Sequence, residues 1–155
     1  MPYRYPEESS HADAAFEAWG ESLEEVFRSS WDAALGVLID DPDTLEPRIR
    51  RPIEIAERRL DMLLLEFLQT QIYIKDAEGL LLRIGDLKVE GGAEMGNTGS
   101  EGDPAAPCRL RATAAGEPVD RSRHAIGTDV KAVTLHGFTL KRTSDGWRAS
   151  VLLDV

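Results

Sequence analysis

Two stretches of the chain repeat their apolar residues at helical spacing; elsewhere the pattern alternates or breaks at glycine and proline. Leu23, Val26, Phe27, Ser30, Trp31, Ala34 and Leu38 fall on one stripe of a helix. Ser22-Leu23-Glu24-Glu25 opens it as a capping box, and its acidic first turn suits the helix dipole. The helix is expected to stop near Asp40-Asp41-Pro42. Leu60, Leu63, Leu64, Phe67, Leu68, Gln71 and Ile72 predict a second helix over Leu60–Lys75, ended before Gly79. Leu65 and Ile74 widen its apolar face, so it should be well buried; Arg59-Leu60-Asp61 gives it no usual capping residue.

The remaining segments read as strands. Ala14–Trp19 is a short one closed by Gly20. Ile49–Ile55 is an edge strand, because Pro52 cannot donate to a central ladder. Leu80–Ile84 and Leu87–Glu90 form a strand or a hairpin with Gly85-Asp86 at the turn. Gly91–Pro107 holds five glycines, two prolines and no large apolar residue except Met95, so it reads as a flexible glycine-rich loop. Cys108–Ala114 alternates and is ended by Gly116-Glu117-Pro118. Asp129–Lys141 and Trp147–Val155 make a hairpin through Thr143-Ser144-Asp145-Gly146, with Trp147, Ala149, Val151, Leu153 and Val155 on one face. The expected fold class is α+β: two helices packed on a mostly antiparallel sheet, in a single compact domain over residues 1–155, with 1–9 as an N-terminal segment.

Composition narrows the function. The 155 residues carry a formal charge of −10 and a pI near 4.8, a field that repels nucleic acid and anionic lipid, so no direct nucleic-acid binding is expected. The single cysteine, Cys108, excludes an internal disulfide and a cysteine zinc cage. It fits a reducing cytosol, and a cytoplasmic location is expected. Met1–Ser10 has no apolar run of the secretory kind, and no stretch approaches the ~20 apolar residues that span a bilayer. The sequence contains no Walker A, Gly-x-Gly-x-x-Gly, His-Glu-x-x-His, Gly-x-Ser-x-Gly or Cys-x-x-Cys motif.

Three features carry candidate chemistry. Ser10-His11-Ala12-Asp13 precedes the first strand, and Leu153-Asp154-Val155 ends the last. If those strands are neighbours, Asp13, Asp154 and the Val155 carboxylate crowd together, and a hard cation such as Ca²⁺, Mg²⁺ or Mn²⁺ would neutralise them. Isolated carboxylates of this kind are ordinarily just solvated charges. The third feature is Asp129-Val130-Lys131-Ala132-Val133-Thr134-Leu135-His136, where Lys131 reads most simply as a solvated edge charge. His136 and His124 read as hydrogen-bonded structural histidines, with no Ser or Cys neighbour to activate.

Taken together, these blocks resemble the archease family. The resemblance rests on Asp13-x-x-Phe16-x-Ala18-Trp19-Gly20-x-Ser22-Leu23-Glu24-Glu25-x-Phe27, Gly116-Glu117-x-x-Asp120 with His124, Val130-Lys131-Ala132-Val133-Thr134-x-His136, and the Trp147-to-Asp154-Val155 ending. It runs from about residue 9 to the end with the element order preserved. It implies an accessory protein, not an enzyme, that activates an RtcB-type RNA ligase in tRNA splicing and RNA repair by promoting its guanylylation and multiple turnover. It also implies a divalent cation, calcium in known forms, on Asp13, Asp154 and Val155, and a role for Lys131, with His136 and His11 as further partner or phosphate contacts. The family's His-Thr-Ala-Asp is replaced here by Ser10-His11-Ala12-Asp13, which keeps the Asp and moves the imidazole. The 91–107 stretch also looks longer than is usual for the family.

Two other classes stay open on the residues alone. A stand-alone metal-dependent phosphoester hydrolase would need a further base or ligand, for which only His11 is on offer. A chaperone-like interaction domain would bind many partners without depending on Asp154.

Overall fold

The computed structural model describes residues 2–6, 13–91 and 108–155. The elements, in chain order, are β1 (Tyr3–Arg4), β2 (Asp13–Gly20), α1 (Leu23–Leu38), β3 (Ile49–Glu57), α2 (Leu60–Glu78), β4 (Leu80–Glu90), β5 (Cys108–Pro118), β6 (Ala132–Thr143) and β7 (Gly146–Asp154). His11 and most of the glycine-rich 91–107 stretch lie outside the described residues.

Where one sheet is expected from the sequence, the chain builds two. One has four strands in the order β1-β2-β7-β6, the other three in the order β3-β5-β4, and the pairings are antiparallel. Alternation fixes which side of a strand is apolar but not which strands share a ladder. β3 is an edge, as Pro52 requires. Gly85-Asp86 is not a hairpin turn. Leu80–Ile84 and Leu87–Glu90 pair with the same strand, β5, and the two residues between them form a bulge. β5 also runs past Gly116, where a Cβ would collide with the Leu81 carbonyl; glycine serves here for close strand approach rather than as a stop.

α1 starts at Ser22, whose hydroxyl accepts from the Glu25 N–H at 3.2 Å. The return bond is displaced by one residue: Glu25 Oε2 accepts from the Glu21 N–H, not from Ser22. α2 begins at Arg59 with no side-chain cap and ends at Gly79, which takes the left-handed conformation (φ 67°) that a β-carbon would resist. Each helix packs against strands of both sheets. That explains the wide apolar face of α2, where Leu63, Leu64, Leu65, Phe67, Leu68 and Ile72 are all buried. Trp31 and Phe67 stack at 4.8 Å between centroids at the helix crossing, and the Trp31 indole N–H donates to the Leu82 carbonyl at 2.8 Å, tying α1 to the smaller sheet. Phe16 and Ala18 of β2, with Ala149, Val151 and Leu153 of β7, turn inward from the larger sheet.

Candidate functional site

The register of the larger sheet brings distant parts of the sequence together. β2 and β7 are antiparallel neighbours, and Asp13 lies directly opposite Asp154. Residues opposed in this way have Cα atoms roughly 4.5–5.5 Å apart. On the other side of β7, Ala132 of β6 is opposite the same Asp154, and the Lys131 N–H donates to the Asp154 carbonyl at 2.8 Å. One end of the sheet therefore gathers the backbone of Asp13, Lys131, Asp154 and Val155. The Asp154 and Lys131 side chains are exposed and Val155 is half-buried.

This end suits a hard cation in one respect and limits it in another. The donors on offer are oxygens, as Ca²⁺ and Mg²⁺ prefer. The Asp154 carbonyl already accepts from Lys131, so the strand end offers carboxylates before carbonyls. Among the described residues, no group of three His, Cys, Asp or Glu side chains converges. His136 sits elsewhere on β6, in a bulge between Thr134 and Thr139, where its N–H donates to Thr134 Oγ1 at 2.8 Å; its side chain is exposed. The same bulge leaves Leu135 64% exposed.

The residue-level reading gave no role to Glu117, which is 2% exposed although charged. It accepts from the Arg123 guanidinium in a very short contact and from the Glu46 N–H at 2.7 Å, and its Oε2 lies 3.3 Å from His124 Nε2. Arg123 first, then the Glu46 N–H and His124, hold its carboxyl down at about 2. His124 Nδ1 accepts from the Asp120 N–H at 2.9 Å, so the neutral ring carries its proton on Nε2, facing Glu117. Both groups pin the 119–131 crossover, which carries the chain from the smaller sheet to the larger and delivers Lys131 beside Asp154. The signal available in the sequence was the Gly116-Glu117-x-x-Asp120 block with His124, legible as a pattern but not as a buried ion pair.

A sizeable groove lies elsewhere. Trp19, Gly20, Arg28, Trp147 and Arg148 line a half-open cavity of about 860 Å³ at the Gly20–Trp147 end of the larger sheet. Seven residue steps at roughly 3.4 Å put that end about 24 Å from Asp13 and Asp154. The Arg148 guanidinium already covers the Trp19 ring at 5.8 Å.

The model of the Archease protein family matches residues 3–155. Protein archease of Thermococcus gammatolerans is 33% identical over 147 residues, 93% of each chain. Protein archease of Methanopyrus kandleri is 32% identical over the full length of both chains. Among solved structures, protein 1598 of Methanobacterium thermoautotrophicum superposes with a TM-score of 0.78 at 26% identity, covering 99% of each chain. An archease of Thermotoga maritima described as a possible chaperone shares the fold, with a TM-score of 0.61 at 18% identity and coverage of 98% and 97%. No helix among the described residues is long and apolar enough to cross a membrane. The chain belongs to the archease family.

Proposed function

We propose that this protein is a non-enzymatic activator of an RtcB-type RNA ligase, promoting its guanylylation and multiple turnover in tRNA splicing and RNA repair. It would hold a divalent cation, calcium before magnesium or manganese, on Asp13, Asp154 and the Val155 carboxylate. The observation that carries the reading is the register: Asp13 opposite Asp154, with Lys131 hydrogen-bonded to the Asp154 carbonyl. Three of the positions matched to the family's site thus meet at one sheet end. Each is remote from the others in sequence, and only this strand order joins them.

The chain's own residues supply the rest. Asp154 presents an exposed carboxylate at the tip of a strand whose other face is locked into the core by Trp147, Ala149, Val151 and Leu153. Lys131, exposed and one residue before β6, brings a cationic side chain to the same sheet end, where it would meet a phosphate or a partner carboxylate at the contact. When bound, the divalent ion supplies positive charge to organise phosphate oxygens at the ligase surface. The acidic net charge fits a protein that meets RNA through its partner rather than alone.

The test is ligase turnover in the presence of this protein and of its folded Asp154→Ala variant. Stimulation is expected to vanish with Asp154→Ala while the circular dichroism stays unchanged. Undiminished turnover would reject the reading. The chaperone-like alternative predicts stimulation of several unrelated enzymes with no loss in Asp154→Ala. A hydrolase predicts phosphoester cleavage by the pure protein with Mn²⁺ and no ligase.

A further inference from the structure

We propose that Lys75 of α2 is a positioning residue for this strand end, fixing the peptide unit that joins Val130 to Lys131 and through it the Asp154–Val155 tail. The inference rests on the reading of Asp13, Asp154 and Val155 as a cation site.

That one peptide group is held from both sides. Its carbonyl, on Val130, accepts from Lys75 Nζ at 2.7 Å. Its N–H, on Lys131, donates to the Asp154 carbonyl at 2.8 Å. A donor pulling on the carbonyl polarises the peptide and strengthens the hydrogen bond that its N–H donates. Lys75 reaches across from the last turn of α2, and its side chain is 14% exposed. Asp129 and Asp76 meet the ammonium at 2.6 and 2.7 Å. Burial disfavours its charge, but the hydrogen bonds it donates to those two carboxylates outweigh this and raise its pKa, so the ammonium persists. Val130 itself is fully buried, so the peptide is anchored between core and clamp.

The topology explains why a helix does this work. β6 is the edge of the larger sheet, so among the described residues its start has no outer strand to hold it. Side chains of α2 stand in for that strand. Lys75 takes the Val130 carbonyl, and Gln69 faces both main-chain groups of Val133, with Nε2 at 3.3 Å from the carbonyl and Oε1 at 3.5 Å from the N–H. α2 thereby sets the edge that carries Lys131 against Asp154. A lysine in the last turn of a helix also complements the helix dipole, and that simpler role would stabilise α2 without touching the strand end.

The experiment separates the two roles on the full chain. Calcium binding is titrated by calorimetry and the Lys131 amide exchange rate is read by NMR, for Lys75→Met, Lys75→Arg and, as a site control, Asp154→Ala. Lys75→Met is expected to weaken calcium binding and to speed Lys131 exchange, each by about tenfold, as loss of a supporting hydrogen bond around a metal site does. Lys75→Arg is expected to recover most of both. If Lys75→Met folds and leaves both quantities unchanged while Asp154→Ala abolishes binding, the positioning role is overturned and the cation site stands. If Asp154→Ala binds calcium as the wild type does, the cation site falls and the inference falls with it. Should Lys75→Met not fold, Asp129→Ala removes only an exposed partner of the ammonium. The expected change is then about threefold in the same direction, and unchanged values overturn the proposal equally.

Discussion

Glu117 and Asp154 are both carboxylates near the ends of strands in the same molecule, and they are opposites. Glu117 is enclosed, with a guanidinium and a main-chain N–H donating to its two oxygens and the His124 Nε2 3.3 Å away. Asp154 is exposed, and no side-chain partner of its carboxylate occurs among the described residues. A buried charge is tolerated only when its hydrogen-bonding capacity is met, so Glu117 is fully committed to the fold. An exposed carboxylate with unclaimed lone pairs contributes little to the fold and is available to a ligand. Partner count, more than residue type, separates the structural acid from the candidate functional one.

The largest effect that would break this contrast is on folding. Glu117→Ala leaves Arg123 and the nearly fully buried His124 facing a void, and leaves the Glu46 N–H without its acceptor. Thermal denaturation is expected to show a clear loss of stability, several times that of Asp154→Ala, whose solvent-exposed side chain supports nothing in the core. Equal losses would mean that Asp154 is structural too.

A milder perturbation sharpens the same point through pH. The Glu117 carboxyl is lowered from 4.5 to about 2. Its contribution to stability is therefore complete above about pH 4.5 and drains away as pH falls from there towards 2, because the unfolded chain takes up the proton first. Glu117→Gln keeps an acceptor for the Glu46 N–H but removes the titration. Its denaturation midpoint is expected to fall less steeply across that window than the wild type's. A residual slope should persist from Asp120, which the hydroxyl and then the N–H of Ser122 also hold low. Parallel acid limbs for the two proteins would show that Glu117 is not a major source of acid sensitivity.

Sequence pattern carried some of this and not the rest. Ser22, the stripe from Leu23 to Leu38 and the alternating face of Trp147 to Leu153 are local, so short-range periodicity and capping chemistry reveal them. The meeting of Asp13 with Asp154 was conditional on strand order, which alternation does not encode. The bulge at Gly85-Asp86 looks like a turn because glycine and aspartate favour both; only the shared partner β5 decides between them. Glu117 and Lys75 were illegible for one common reason. Burying a charge depends on partners dozens of positions away or on a crossover folded back over it, and neither leaves a spacing signature. Glu117 borrows the Glu46 N–H and Lys75 borrows the Val130 carbonyl, 71 and 55 positions distant.

The smallest expected effect concerns the outermost member of the Glu117 cluster. Arg48 Nε lies 3.8 Å from Glu117 Oε1 and 2.9 Å from Glu46 Oε2, with a side chain 61% exposed. It adds charge to a carboxylate that Arg123 and Glu46 N–H already satisfy, and water screens it on the outer side. Arg48→Ala is expected to move the melting temperature by about 1–2 °C or less, against a plain loss for Arg123→Ala, whose guanidinium makes the shortest contact to Glu117. The measurement is a pair of melts at low and high salt. If Arg48→Ala matched Arg123→Ala, or if its small effect survived high salt undiminished, proximity alone would count for as much as hydrogen-bonded contact. The distinction drawn between committed and available carboxylates would then lose its physical basis.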